Sequence, residues 1–192
     1  GVGGFDGTVA HAPAEGREGS GALRFNVDVT AESWTTSVAP LNVANKLEGV
    51  RFWVKSSDVS GSTFRAIDST GQTHQLRPTW RADGTWQEVS IDSFTSGVGH
   101  ESFGGAGDRK FHWPATHIGF VVEKNNVSLG KGTLFIDDVT LLSVGAPKDP
   151  STGWKPLLLG NFDTGVDGFG APAEQSKDAP HAGGGALKLA AQ

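Results

Sequence analysis

The sequence predicts an all-β protein, an antiparallel sandwich or barrel, and three observations carry that reading. No window keeps apolar residues at a 3.6-residue spacing for three turns, so no stretch reads as a substantial helix. Short stretches with apolar residues at every second position recur instead. Between them stand clusters of Gly, Ser, Asn, Asp and Pro, the residues that turn a chain sharply. Such alternation belongs to sheets with one face packed and the other wet.

The stretches follow in order. "GALRFNVDV" sets Leu23, Phe25 and Val27 against Arg24, Asn26 and Asp28, and "GVRFWVKSS" sets Val50, Phe52 and Val54 against Arg51, Trp53 and Lys55. "STFRAIDSTGQTHQLRPTW" reads as a hairpin turning at Ser69, Thr70 and Gly71. Its second arm puts His74, Leu76 and Pro78 on one side and Gln75, Arg77 and Thr79 on the other. "GTWQEVSIDSF" supplies Val89 and Ile91, "HIGFVVEKN" supplies Ile118, Phe120 and Val122, and "GTLFIDDVTLLSV" closes the run. The expected core is Val50, Phe52, Val54, Val89, Ile91, Phe120, Val122, Leu134 and Ile136, with Trp53 and Trp86 assigned to packing.

Composition narrows the function. The 192 residues carry a net charge of −5 with scattered charges, which argues against nucleic acid or an anionic membrane as partner, since both need a basic surface. No apolar run approaches the roughly 20 residues of a membrane-spanning helix. Zero Cys excludes thiol catalysis, disulfides and Cys-ligated zinc. The chain has 6 Trp and no Tyr, a choice that suits either large-ring packing or a surface that stacks on sugars.

The chain also ends as it begins. Phe5 falls on Phe169 and Gly1 on Gly165, an offset of 164 residues. The same offset puts Gly21, Ala22, Leu23 and Arg24 on Gly185, Ala186, Leu187 and Lys188. Between the copies "GAPKDPSTGWKP" holds three of the nine prolines and reads as a linker. Residues 1–145 are therefore expected to form one module, 146–156 a linker, and 157–192 the start of a second copy.

"LEGVRFWVKSS", "GTWQEVSIDSF", "HWPATHIGFVVEKN" and "GTLFIDDVTL", together with "GNFDTGVDGF…GGGALKL", resemble the galactose-binding-like β-jelly rolls. These include the carbohydrate-binding modules appended to bacterial polysaccharide hydrolases. The resemblance implies an antiparallel two-sheet jelly-roll sandwich. It further implies a non-catalytic module, repeated in tandem in a larger secreted or cell-surface bacterial protein, that anchors it to a polysaccharide or oligosaccharide. The other class weighed is a structural jelly-roll repeat of a surface or matrix protein that donates a strand to the next copy, with self-association through the C-terminal segment. The resemblance also implies a structural calcium held by Asp137, with Glu18 and Ser20 from the loop before Gly-Ala-Leu and Asp163 as a displaced contributor. The first copy lacks the opening "NFD" of such modules, and the one such phrase is Asn161-Phe162-Asp163. Residues 157–163 are thus expected to lie as a strand against the first module's sheet edge, of this chain or of a neighbour, with Phe162 buried and Asp163 near Asp137.

Candidate ligand residues come from two places. "HESFGGAGDRKFHWPATH" offers Trp113 to stack on a pyranose face, with Asp108, Arg109 and His112 to bond hydroxyls. The hairpin arm offers Gln75 and Arg77 as a polar stripe, with Trp80 and Trp34 as further stacking rings. The chain has no Gly-x-Ser-x-Gly elbow, phosphate-binding Gly loop or His-Glu-x-x-His, and no enzyme is expected.

Overall fold

The alternating stretches pair as strands. In the computed structural model of the chain, residues 5–6, 8–41, 43–44, 46–144, 157–160 and 162 are described, with 5–6 and 157–160 as backbone only. The strands are β1 (Phe5–Asp6), β2 (Thr8–Ala12), β3 (Ala22–Asp28), β4 (Trp34–Pro40), β5 (Leu47–Lys55) and β6 (Thr63–Asp68). They continue as β7 (Thr73–Leu76), β8 (Gln87–Ile91), β9 (Glu101–Phe103), β10 (Ala115–Glu123), β11 (Lys131–Ser143) and β12 (Leu157–Gly160). Among the described residues the helical elements are two single 3-10 turns, Arg17–Gly19 and Lys124–Asn126.

Two sheets face one another. The front sheet runs β1-β4-β10-β6-β7-β9 and the back sheet β2-β3-β11-β5-β8. Every pairing is antiparallel except β1 with β4. The hairpin turns where the sequence places it: β6 ends at Asp68, β7 starts at Thr73, and Gly71 takes φ +81°, which a side chain would oppose.

All nine residues expected in the core are buried. Phe52 from the back sheet meets Phe120 from the front sheet edge-on at 5.0 Å, and Phe120 meets Phe64 at 5.6 Å. These rings join the two layers, because burying large apolar faces against each other is what holds a sandwich together.

β12 sits where β3 runs out. β3 pairs with β11 from Lys131 to Ile136, while β5 holds the other edge of β11 as far as Ser143. The edge left open beyond Ile136 pairs with β12, Val139 with Gly160 and Leu141 with Leu157. Phe162, just past β12, is fully buried among the core residues. A strand entering this notch satisfies peptide groups that would otherwise face solvent on an open edge.

Candidate functional site

Strand alternation divides the front sheet into a core side, with Phe64, Ala66, His74, Leu76, Ile118 and Phe120, and an outer side. The register lines up Val38, Gly119, Arg65, Gln75 and Glu101 as one row across five strands of that outer face. Gly119 has no room for more: a Cβ there would stand 2.8 Å from the Ser37 carbonyl oxygen. Arg65 Nε donates to Gln75 Oε1 at 3.1 Å, and Gln75 Nε2 donates to Glu101 Oε2 at 2.6 Å. The same Glu101 oxygen accepts from Arg77 Nη2 at 3.0 Å. Thr63 Oγ1 donates to Glu123 Oε1 at 2.8 Å, and that oxygen lies 3.9 Å from Arg77 Nε.

Two aromatic rings flank this network. The Arg65 guanidinium carbon lies 5.7 Å from the centroid of Trp34 and 5.8 Å from that of Phe103, which is 48% exposed. The hydrogen bonds from Arg77 and Gln75 hold the Glu101 carboxyl below its ordinary value, so it stays ionised as an acceptor. The face therefore presents fixed donors and acceptors beside rings, a surface suited to a ligand with many hydroxyls and an apolar side.

A second concavity lies at one end of the sandwich. It encloses about 830 Å³ and is lined by Lys46, Glu48, Thr70, Arg109, Lys110 and Trp113, with buried Phe94 and Phe111 beneath. Trp113 is 40% exposed, and its indole Nε1 donates to the Leu47 carbonyl at 2.7 Å. Lys46 Nζ stands 5.5 Å from the centroid of that ring. Asp108 turns inward to its own loop, accepting from the Lys110 amide at 3.0 Å and lying 3.1 Å from His112 Nε2.

A buried bracket holds this loop. Asp68 is fully buried, and its Oδ1 accepts from Thr70 N, Thr70 Oγ1 and Gln72 N while Oδ2 accepts from His112 N. Burial pushes the Asp68 carboxyl up, but those bonds outweigh it and hold the group below its ordinary value. Gln72, also fully buried, donates to the Lys110 carbonyl at 2.7 Å.

No family model matches the sequence, and no curated protein matches it. Solved structures do. The family 11 carbohydrate-binding module of the cellulosomal cellulase Lic26A-Cel5E of Clostridium thermocellum superposes with a TM-score of 0.51 at 17% identity, covering 71% of this chain and 82% of that one. The Clostridium thermocellum family 11 module in complex with a beta-1,3-1,4-mixed-linked tetrasaccharide gives a TM-score of 0.51 at 16% identity, covering 71% and 84%. TmCBM61 in complex with beta-1,4-galactotriose gives a TM-score of 0.41 at 15% identity over 68% and 75%. The chain has the β-jelly-roll fold of a carbohydrate-binding module.

In this jelly roll the residues singled out from the sequence separate into two sites. Gln75, Arg77 and Trp34 share the outer face of the front sheet, while Trp113, Arg109, His112 and Asp108 belong to the end cleft and its loop. Trp80 belongs to neither: it is 9% exposed in the core and its Nε1 donates to the Val59 carbonyl at 2.7 Å. A stacking platform needs an open ring face, so Trp80 is a packing residue. Trp53 and Trp86, assigned to packing, are half-buried on the outer side of the back sheet, with Arg17 3.7 Å over Trp53 and Lys55 5.1 Å from Trp86.

Sequence reasoning missed Arg65, Glu101 and Phe103 on the face and Lys46 and Lys110 in the cleft. Arg65 was within reach, because a hairpin turning at Ser69–Gly71 sets it opposite Gln75. Lys110 stands beside Arg109 in the same loop; Glu101 and Phe103 reach the face only through the pairing of β9 with β7, and Lys46 reaches the cleft from far away in sequence.

Asp137 and Asp138 do not point apart as neighbours on a regular strand would. The β11 register shifts between Asp137 and Thr140, and Asp138 takes φ +49°, the mark of a bulge. Both carboxylates then meet Arg17: Asp137 Oδ2 accepts from its amide at 2.9 Å and Asp138 Oδ2 from its Nη1 at 2.7 Å. Burial pushes the Asp137 carboxyl up. Asp137 also accepts from the Asp138 amide at 2.8 Å and from Ser20 Oγ at 3.3 Å, while Glu18 is exposed and Asp163 lies outside the described residues. Calcium wants six to eight oxygens. Among the described residues no three acidic or His side chains gather to supply them, and the oxygens that do converge are occupied by N–H and O–H donors.

Proposed function

We propose that this chain is a non-catalytic carbohydrate-binding module whose neutral glycan lies across the outer face of the front sheet. The observation that carries the reading is the row Arg65–Gln75–Glu101 with Arg77, a set of mutually hydrogen-bonded groups flanked by Trp34 and Phe103. Groups held in place by one another lose little freedom on binding; the more exposed Arg77 and Glu101 can share a donor or acceptor with paired hydroxyls, while Gln75, only 5% exposed, positions them. The shared fold supports the reading, because a family 11 module of that fold carries a mixed-linked tetrasaccharide.

Glu101 is held ionised by Arg77 and Gln75, so on this face it serves as a hydrogen-bond acceptor and not as a proton donor to a glycosidic oxygen. The module would serve a larger secreted bacterial protein, in tandem copies, by keeping it close to its polysaccharide and raising the effective concentration.

Titration calorimetry with mixed-linkage β-glucan oligosaccharides tests this. Trp34→Ala and Gln75→Ala should each weaken binding roughly tenfold, with no reducing sugar released by the unaltered chain. Unchanged affinity in both variants would place the glycan elsewhere.

One observation favours a second reading, that of a structural repeat that hands its closing strand to another copy. β12 fills the notch on β11 from beyond the linker, and the same notch on a neighbour would accept the same strand. Size-exclusion with light scattering over a concentration series decides between them. Monomer throughout supports the binding module, and chains that vanish when residues 151–192 are removed support the repeat.

A further inference from the structure

We propose that the cleft at the sandwich end is a second, separate carbohydrate site, and that its ligand is a saccharide bearing carboxylates, a uronosyl oligosaccharide. The protein is acidic overall, at −5, yet Lys46, Arg109 and Lys110 all line this one cleft, against Glu48 as the acid that shares it. None of the three cations forms an ion pair with a described carboxylate. Asp108, the nearest acid along the chain, is already taken by the Lys110 amide and His112. Cations on the outer face of the front sheet are treated differently: Arg77 is paired with Glu101 and Glu123, and Arg65 is bonded to Gln75. One face is thus internally neutralised and suits a neutral glycan. The cleft leaves its positive charge for a ligand to answer.

The cleft is also built to hold its shape. Trp113 is locked by its bond to the Leu47 carbonyl while keeping 40% of its surface open. Arg109 takes φ +64°, a conformation that an L-residue keeps only where its surroundings impose it, and such positions gather at binding sites. The surroundings are visible: fully buried Gln72 accepts from the Arg109 amide at 3.4 Å and donates to the Lys110 carbonyl at 2.7 Å. Asp68 holds the His112 amide at 3.1 Å. The backbone carrying two of the three cations and the ring is therefore fixed before any ligand arrives. An open aromatic ring matches the apolar face of a pyranose, and the cations around it match a ring carboxylate. The volume of about 830 Å³ admits two or three sugar units of the usual ligand scale.

The inference rests on the carbohydrate reading in taking the ligand to be a saccharide, and the experiment separates the two. Titrate the full chain with trigalacturonic acid and with its neutral methyl ester. The acid should bind, the ester roughly tenfold more weakly, and the acid's affinity should fall as salt rises from about 0.05 to about 0.5 M. The charge-neutral Lys46→Gln/Arg109→Gln/Lys110→Gln variant, all at exposed positions, should lose roughly tenfold or more in affinity for the acid. Trp113→Ala should lose a similar factor, while Lys131→Gln, an exposed cation on β11 outside both sites, leaves it unchanged. The proposal is overturned if the triple variant binds the acid as the unaltered chain does, if the ester binds equally well, or if polyglutamate, an anion without a pyranose ring, competes equally. Acid binding in the cleft together with no neutral glycan on the sheet face would keep this proposal and discard the face. Neutral binding alone would do the reverse.

Discussion

At the scale of single residues, the buried Asp68 shows how polar chemistry supports a binding surface it never touches. It receives four hydrogen bonds that tie the β6–β7 turn to the loop carrying His112 and Trp113. Removing one partner from such a cluster strands the others without water, which costs more than the bonds were worth in isolation. Asp68→Ala should therefore lose about 3 kcal/mol of stability, read as a lower denaturant midpoint with unchanged slope. The pH dependence follows from its depressed pKa. The folded state favours the ionised form, so this contribution is present at neutral pH and is lost as the pH falls below about 4, the ordinary carboxylate range. In Asp68→Ala that acid-side component of the stability curve should be absent. Trp80 belongs to the same scale: its sequence setting matched a stacking ring, and its burial with a bond to the Val59 carbonyl makes it core.

At the scale of elements, β12 is the informative strand. It is only four residues long and pairs with the strand before it in the chain, β11, yet Phe162 just past it is buried in the core. A Phe removed from a close-packed core leaves a cavity that its neighbours refill only in part. Phe162→Ala should cost about 3–4 kcal/mol in chemical unfolding. A cost near zero would mean that the core closes without it. The bulge at Asp137–Asp138 is the counterpart on β11. It turns both carboxylates toward Arg17, whereas strict alternation along "FIDDV" sets them on opposite faces. Alternation is a property of regular backbone, and a bulge that depends on distant partners leaves no mark in a five-residue window.

At the scale of the whole molecule, the two sheets and the shared fold with family 11 carbohydrate-binding modules are consistent at every level. The contacts of Asp137 and Asp138 with Arg17 have a consequence for overall stability. An ion held only by the native state raises the melting temperature, and its removal lowers it. With Arg17 on Asp137 and Asp138, a chelator should leave the melting temperature within about one degree. A drop of several degrees would assign a metal to this place after all.

The sequence by itself determined the all-β class, the hairpin at Ser69–Gly71 and the nine core positions, because period-two alternation and turn residues are local physics that survive in any context. It also placed Gln75 and Arg77 on one face, for the same reason. Tertiary structure alone decided which residues share a site. Arg65 meets Trp34 and Phe103, Lys46 meets Trp113, and Trp80 turns inward, each through pairings between strands and loops far apart in the chain. The charge balance of each surface was likewise decided there. Whether an arginine or lysine is answered by a carboxylate depends on distances across the fold, and over such distances spacing along the sequence carries no information.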